Sequence, residues 1–290
     1  MAVHVFRTRD ELANLQRLSL DVLIVSCVLQ FLSQVFLNAS MLLPLQTRVG
    51  GLGFWQLYLV RTGGLFVGSL VPVAGGLAVR LAYLRKRGLT YADFTWATLF
   101  SNVLALVAAA AVAVVATAAL WMMAGRPPAT VLGVAGGVLA LSVAVLAVFE
   151  LLPRMTRHPR LQQWRWLAGM SGLAASGRMA TSVFGLSVMR HVLNFATFGL
   201  LYRSLSGAAD FLTGGLVYAL TSPIRMVNIT PGNLGVVEWF VALVGKMLEF
   251  DVTTGLIVAL AFRGVSLVAQ VLGALGGSAW LALGGAPPAR

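Results

Sequence analysis

The chain has 290 residues, 59% of them hydrophobic and only 10% charged, with a mean hydropathy of +0.88. Those values lie far outside the range of a soluble globular domain and define a polytopic membrane protein. The net charge of +12 does not indicate nucleic acid, because the basic residues fall mostly in short gaps between apolar runs, where they act as topology determinants and contacts for anionic lipid.

Residues 1–17 are polar, with Arg7, Arg9 and Arg17 set against Asp10 and Glu11, and are expected to lie at the interface. The apolar run from Leu18 to Leu45 is too long for the core of a signal peptide and is expected as the first span. A glycine-bearing turn over Gln46–Gly53 follows. Residues 55–83 are apolar but carry Arg61, Gly63, Gly64, Gly68, Pro72, Gly75, Gly76 and Arg80, which predicts a broken or re-entrant helix. Arg85-Lys86-Arg87 then forms the densest basic cluster, which the positive-inside tendency puts in the cytoplasm.

Spans are predicted over Phe94–Met123 and Ala129–Leu152, the second ended by Pro153. Residues 154–178 interleave arginines with Leu161, Trp164, Trp166 and Leu167, the composition of an amphipathic helix in the headgroup plane. Two spans separate this connection from the Arg85–Arg87 cluster, so both are expected on one side. Thr181–Tyr202 is a further span with Arg190, His191 and Asn194 near its middle; His191 is also considered as a proton-coupling group. Residues 211–248 form a second broken segment, and a last span over Thr254–Leu283 contains Arg263.

The polar centre of the chain is Ser222–Trp239, which holds two prolines, two glycines, Arg225, Asn228, Asn233 and Glu238 between two apolar runs. Helix-breaking polar sequence survives at membrane depth only where protein or water satisfies its backbone. Arg225 and Arg263 are candidates to bind a lipid phosphate, with a structural pairing to Glu238 as the alternative. Gly232 and Gly235, after Pro231, could let a helix start present free amides to an anion, or could simply let the chain turn. Asn228, Thr230 and Asn233 supply hydrogen bonds to a ligand or to the broken backbone. Glu238 could meet a substrate amine, carry a proton or neutralise an arginine. Arg80 is a further candidate for the ligand, weighed against a side chain that snorkels to the Arg85–Arg87 interface.

Pro72 and Pro231 both open a P-x-x-x-G spacing, ending at Gly76 and Gly235. Paired interruptions of this kind are what an inverted transporter repeat leaves in sequence. With no nucleotide-binding loop, zincin motif or acidic metal motif, neither a cofactor nor a metal is expected, and the protein is not expected to be an enzyme. The lone Cys27 provides no intrachain disulfide.

Thr230-Pro231-Gly232-Asn233-Leu234-Gly235-Val236-Val237-Glu238 resembles the T-P-G-G-L-G-x-x-E run of the lysylphosphatidylglycerol synthase/flippase transmembrane-domain family. Pro72–Arg80 and Arg263 extend the resemblance to residues 15–285. It implies a lipid-handling membrane domain, a flippase without an aminoacyl-transferase domain in these residues. Leu77 replaces the family's acid after the first-half glycine, Ser101-Asn102 its Glu-Arg, and Ala105 its downstream acid.

The expected architecture is therefore one all-α membrane domain over residues 1–290, with about seven or eight embedded segments. The expected setting is multi-pass in the cytoplasmic membrane, with phosphate-bearing lipids as partners and no nucleic acid; a synthase partner and self-association are left open. The expected function is movement of an anionic or polyprenyl-phosphate-linked lipid between leaflets. The rivals are a membrane enzyme acting on a lipid-linked substrate and an accessory subunit that positions a synthase.

Overall fold

The computed structural model describes residues 18–70, 75–124, 129–155, 176–206, 211–226, 233 and 235–283. The expected interfacial segment over 1–17 and most of the amphipathic connection over 154–178 lie outside them. The described residues form nine α-helices and no strand. In chain order these are α1 (Leu20–Gln46), α2 (Phe54–Leu70), α3 (Gly75–Arg85), α4 (Tyr91–Ala124), α5 (Ala129–Met155), α6 (Gly177–Ser206), α7 (Phe211–Thr221), α8 (Val236–Met247) and α9 (Val252–Ala282). A 3₁₀ turn over Ser222–Met226 extends α7. Five helices, α1, α4, α5, α6 and α9, are long and apolar enough to cross a membrane.

The exposure pattern is that of a protein solvated by lipid. On α1 the buried side chains include Ser26, Gln30, Ser33, Gln34 and Asn38, whereas Leu20, Ile24, Val25 and Val28 point outward, Leu20 being 70% exposed. Lipid solvates apolar side chains at no cost, so what helices gain by packing is satisfaction of polar groups and close van der Waals contact.

The two interrupted segments are helical hairpins. In the first, α2 and α3 pack so closely that a Cβ on Gly64 would meet the Gly76 carbonyl oxygen at 2.7 Å, and one on Gly76 would meet that of Gly64 at 2.5 Å. Twelve residues of continuous helix would hold these positions about 18 Å apart, so the chain reverses between them. The feet of the hairpin share one apolar cluster, in which Leu45, Leu52 and Leu57 meet Leu84, Leu89 and Phe94. At that end Arg48 pairs with Asp93 at 3.7 Å, and Asp93 accepts from the Thr90 amide at the start of α4. The second hairpin has α7 and α8 as its legs. Tyr202 marks its feet: a Cβ on Gly214 of α7 would meet the Tyr202 side chain at 2.6 Å, and one on Gly245 of α8 would meet the Tyr202 hydroxyl at 2.9 Å.

The feet of the two hairpins lie at opposite ends of the bundle. The first group clusters with Phe149 near the end of α5 and with Met179 and Val183 at the start of α6. The second group clusters with Leu120 at the end of α4, Val131 at the start of α5 and Leu205 at the end of α6. The first end carries Arg85-Lys86-Arg87 and is called the basic face below.

Helix packing repeats accordingly. The α1 helix lies against α6; α1 also contacts α4 and α9, as α6 does; α2 packs on α9 and α7 on α4. Exchanging α1–α4 for α6–α9 leaves this set of neighbours unchanged, and because the hairpins enter from opposite ends the two units are inverted. The α5 helix connects them. Pro72 and Pro231 lie outside the described residues, but Gly76 and Gly235 each sit at the start of a hairpin's second leg, α3 and α8.

Pro153 does not end its helix as expected, since α5 runs to Met155. A proline in the last turn deletes only one hydrogen bond where the helix would fray anyway.

Candidate functional site

Among the described residues that lead into α8, two have positive φ, Asn233 at 54° and Gly235 at 86°. The turn at Gly235 starts α8, and the Glu238 side chain reaches back so that Oε2 accepts from the Gly235 amide at 2.8 Å. An acid in the first turn suits the positive end of the helix dipole. Glu238 is 1% exposed and is the one buried carboxylate among the described residues.

Its countercharge comes from α9. Arg263 lies eleven residues into that helix, about 17 Å along its axis, and its Nη2 sits 2.8 Å from Glu238 Oε1. The same nitrogen donates to the Asn233 carbonyl at 3.4 Å. Arg263 thus ties the hairpin tip to α9 by charge and by backbone, while its side chain remains 27% exposed.

Arg225 has a different environment. It ends the 3₁₀ turn, and its guanidinium carbon lies 5.1 Å from the Phe198 ring centroid, 5.6 Å from that of Tyr218 and 5.0 Å from that of Phe262. Its Nε and Nη2 are shielded from solvent and meet no acceptor among the described residues. Glu238 and Arg263 are near enough for their charges to act on it, yet no carboxylate pairs with it among those residues. Three aromatic faces contribute about 0.5–2 kcal/mol each, whereas a charge at membrane depth costs from about 2.5 to above 10 kcal/mol when uncompensated.

Behind Arg225 a hydrogen-bonded polar core joins α1, α6, α7 and α9. Asn194 accepts from Gln30 Nε2 at 2.8 Å and from Ser33 Oγ at 3.0 Å, and donates to the Tyr218 hydroxyl at 2.9 Å. Gln30 also donates to Thr197 Oγ1 at 3.2 Å and accepts from Ser266 at 2.9 Å. His191 Nδ1 lies 3.0 Å from the Tyr218 hydroxyl, so His191 and Asn194, one turn apart on α6, converge on one group.

Of the residues singled out from sequence, the structure brings together Arg225, Asn233, Gly235, Glu238 and Arg263. Asn228, Thr230, Pro231 and Gly232 lie outside the described residues. Arg80 sits apart from this group, on α3, where its Nε donates to the Gly76 carbonyl at 3.3 Å and its side chain lines a pocket with Arg61. Sequence reasoning missed Gln30, Ser33, Gln34 and Tyr218. A signal existed in the helical spacing of Ser26, Gln30, Ser33 and Asn38 along one face of an otherwise apolar span. Among the described residues no three His, Cys, Asp or Glu side chains gather as a metal site.

Inverted hairpins at membrane depth, enclosing arginines and a polar core within a shell of lipid-facing side chains, define a multi-pass membrane protein with a cationic interior. Residues 2–274 match the family described as the lysylphosphatidylglycerol synthase TM region, and the chain belongs to that family. Its family links it to lipid metabolism or lipid flipping. Comparison with curated proteins and with solved structures found no match.

Proposed function

We propose that this protein moves an anionic phospholipid or a polyprenyl-phosphate-linked lipid between the leaflets of the cytoplasmic membrane, passing the headgroup through the polar interior while the acyl chains stay in lipid. The observation that carries this reading is Arg225: its shielded Nε and Nη2 meet no acceptor among the described residues, and it is held against three rings beside an Arg263–Glu238 pair that is already neutral. A phosphate oxygen would give Arg225 the charge-assisted hydrogen bonds it lacks. Arg263 and the Gly235 end of α8 would add donors, and Glu238 would keep Arg263 in place when the ligand leaves. The family favours a lipid as cargo. The departures at Leu77, Ser101 and Ala105 remove acids that a cationic headgroup would need, and so favour an anionic one.

The experiment is reconstitution of the purified chain into vesicles with labelled lipids. Leaflet exchange of phosphatidylglycerol or a polyprenyl phosphate above that of empty vesicles, and its loss in Arg225→Gln, is the expected result. Exchange no faster than in empty vesicles for either lipid would end the assignment, and chemical turnover of the lipid by the chain alone would replace it with an enzyme.

A further inference from the structure

The first hairpin holds arginines that the Arg225–Arg263 site does not use. Arg61, on α2, is 4% exposed; its Nη2 donates to Gln34 Oε1, its guanidinium carbon lies 5.9 Å from the Tyr58 ring centroid, and its Nε meets no acceptor among the described residues. Arg61 and Arg80 line one small pocket, walled by Leu57, Leu84, Phe94 and Thr98. No carboxylate pairs with either arginine among the described residues, and Asp93, on the first turn of α4, is held by Arg48 and the Thr90 amide.

Arg61 lies seven residues into α2, about 10 Å from its foot at the basic face, and the Arg85-Lys86-Arg87 cluster flanks the same face. Two guanidinium groups lining one pocket at this depth, with no carboxylate partner among the described residues, favour an anion beside them.

We propose that Arg61 and Arg80 form a second phosphate-binding station, separate from Arg225 and Arg263 and nearer the basic face. Its ligand is a phosphate group, carried by a membrane lipid or free in solution. The lipid as ligand rests on the lipid-handling reading above; the station itself does not, because binding is read separately from flux.

The test is native mass spectrometry of the purified full chain in neutral detergent, titrated with dioctanoyl phosphatidic acid, with dioctanoyl phosphatidylcholine as control. The wild type is expected to take two phosphatidic acids. Arg61→Gln and Arg80→Gln are each expected to weaken one of them by about tenfold or more, the size of a lost charge-assisted hydrogen bond, and Arg225→Gln to weaken the other. Inorganic phosphate that displaces the lipid left in Arg225→Gln identifies phosphate alone as the ligand; retention identifies the lipid. Because Arg61→Gln removes a buried charge that no carboxylate meets among the described residues, its ligand-free melting temperature should equal or exceed that of the wild type. Two lipids retained at wild-type affinity in Arg61→Gln, a single site in the wild type, equal binding of phosphatidylcholine, or a lowered melting temperature with both sites lost would each overturn the proposal.

Discussion

Removing either partner of the Arg263–Glu238 pair is expected to have unequal consequences. Glu238→Gln keeps an oxygen that can accept from the Gly235 amide, and leaves Arg263, 27% exposed, able to turn toward water. Arg263→Gln instead strands a carboxylate that is 1% exposed and retains only the Gly235 amide among its described partners. Breaking a buried pair from one side costs about 3–5 kcal/mol when both partners are buried. The exposure of Arg263 lowers this to about 1–2 kcal/mol for Glu238→Gln and leaves about 3 kcal/mol for Arg263→Gln. The double variant should be less destabilised than the sum of the two by about 1–2 kcal/mol, since neither charge is then left alone. Equilibrium unfolding in mixed micelles measures all four corners of this cycle. Coupling below about 0.5 kcal/mol, or a Glu238→Gln penalty larger than that of Arg263→Gln, would refute the view that this pair fixes the hairpin tip to α9.

Gly76→Val should pry α2 from α3, because its Cβ has the Gly64 carbonyl oxygen 2.5 Å away, whereas Gly63→Ala, with open space around it, should be neutral or stabilising by up to about 1 kcal/mol; melting temperatures in detergent separate the two. Tyr218→Phe deletes the hydroxyl shared by Asn194 and His191 and should cost about 1 kcal/mol in the same assay. After Cys27→Ser, single cysteines at Arg48 and Lys86 should react with an impermeant thiol reagent from one side of sealed vesicles, and one at Glu249 from the other, because the hairpin feet lie at opposite ends. Labelling of all three from one side would contradict the inverted arrangement.

The two hairpins were legible in the sequence because proline and glycine at apolar depth have a local backbone cause. The proline and glycine runs predicted a break in each apolar segment without any knowledge of their neighbours, and the segments are broken, into α2 and α3 and into α7 and α8. The family was legible for a related reason, since its motif over 230–238 includes Asn233, Gly235 and Glu238, which the structure places at the start of α8. Side-chain partnership was not. Which arginine Glu238 meets depends on where α9 passes the hairpin, and that is a tertiary fact: Arg263 takes the carboxylate and Arg225 is left to the rings of Phe198, Tyr218 and Phe262. The polar face of α1 was hidden by its flanks, because high mean hydropathy over the span masks three or four residues at helical spacing. Nor was the partner of Arg61 legible, for no local feature of Arg61 distinguishes a side chain that reaches the interface from one that points at Gln34.

The most direct measurement is a single-particle density map of the protein in nanodiscs containing phosphatidylglycerol. The account predicts headgroup density with a phosphate about 3 Å from Arg225 Nε and Nη2, bordered by Arg263 and the start of α8. A map in which Arg225 is engaged by the protein's own backbone, with only acyl chains or side chains beside it, would contradict the claim that this interior holds an anionic headgroup.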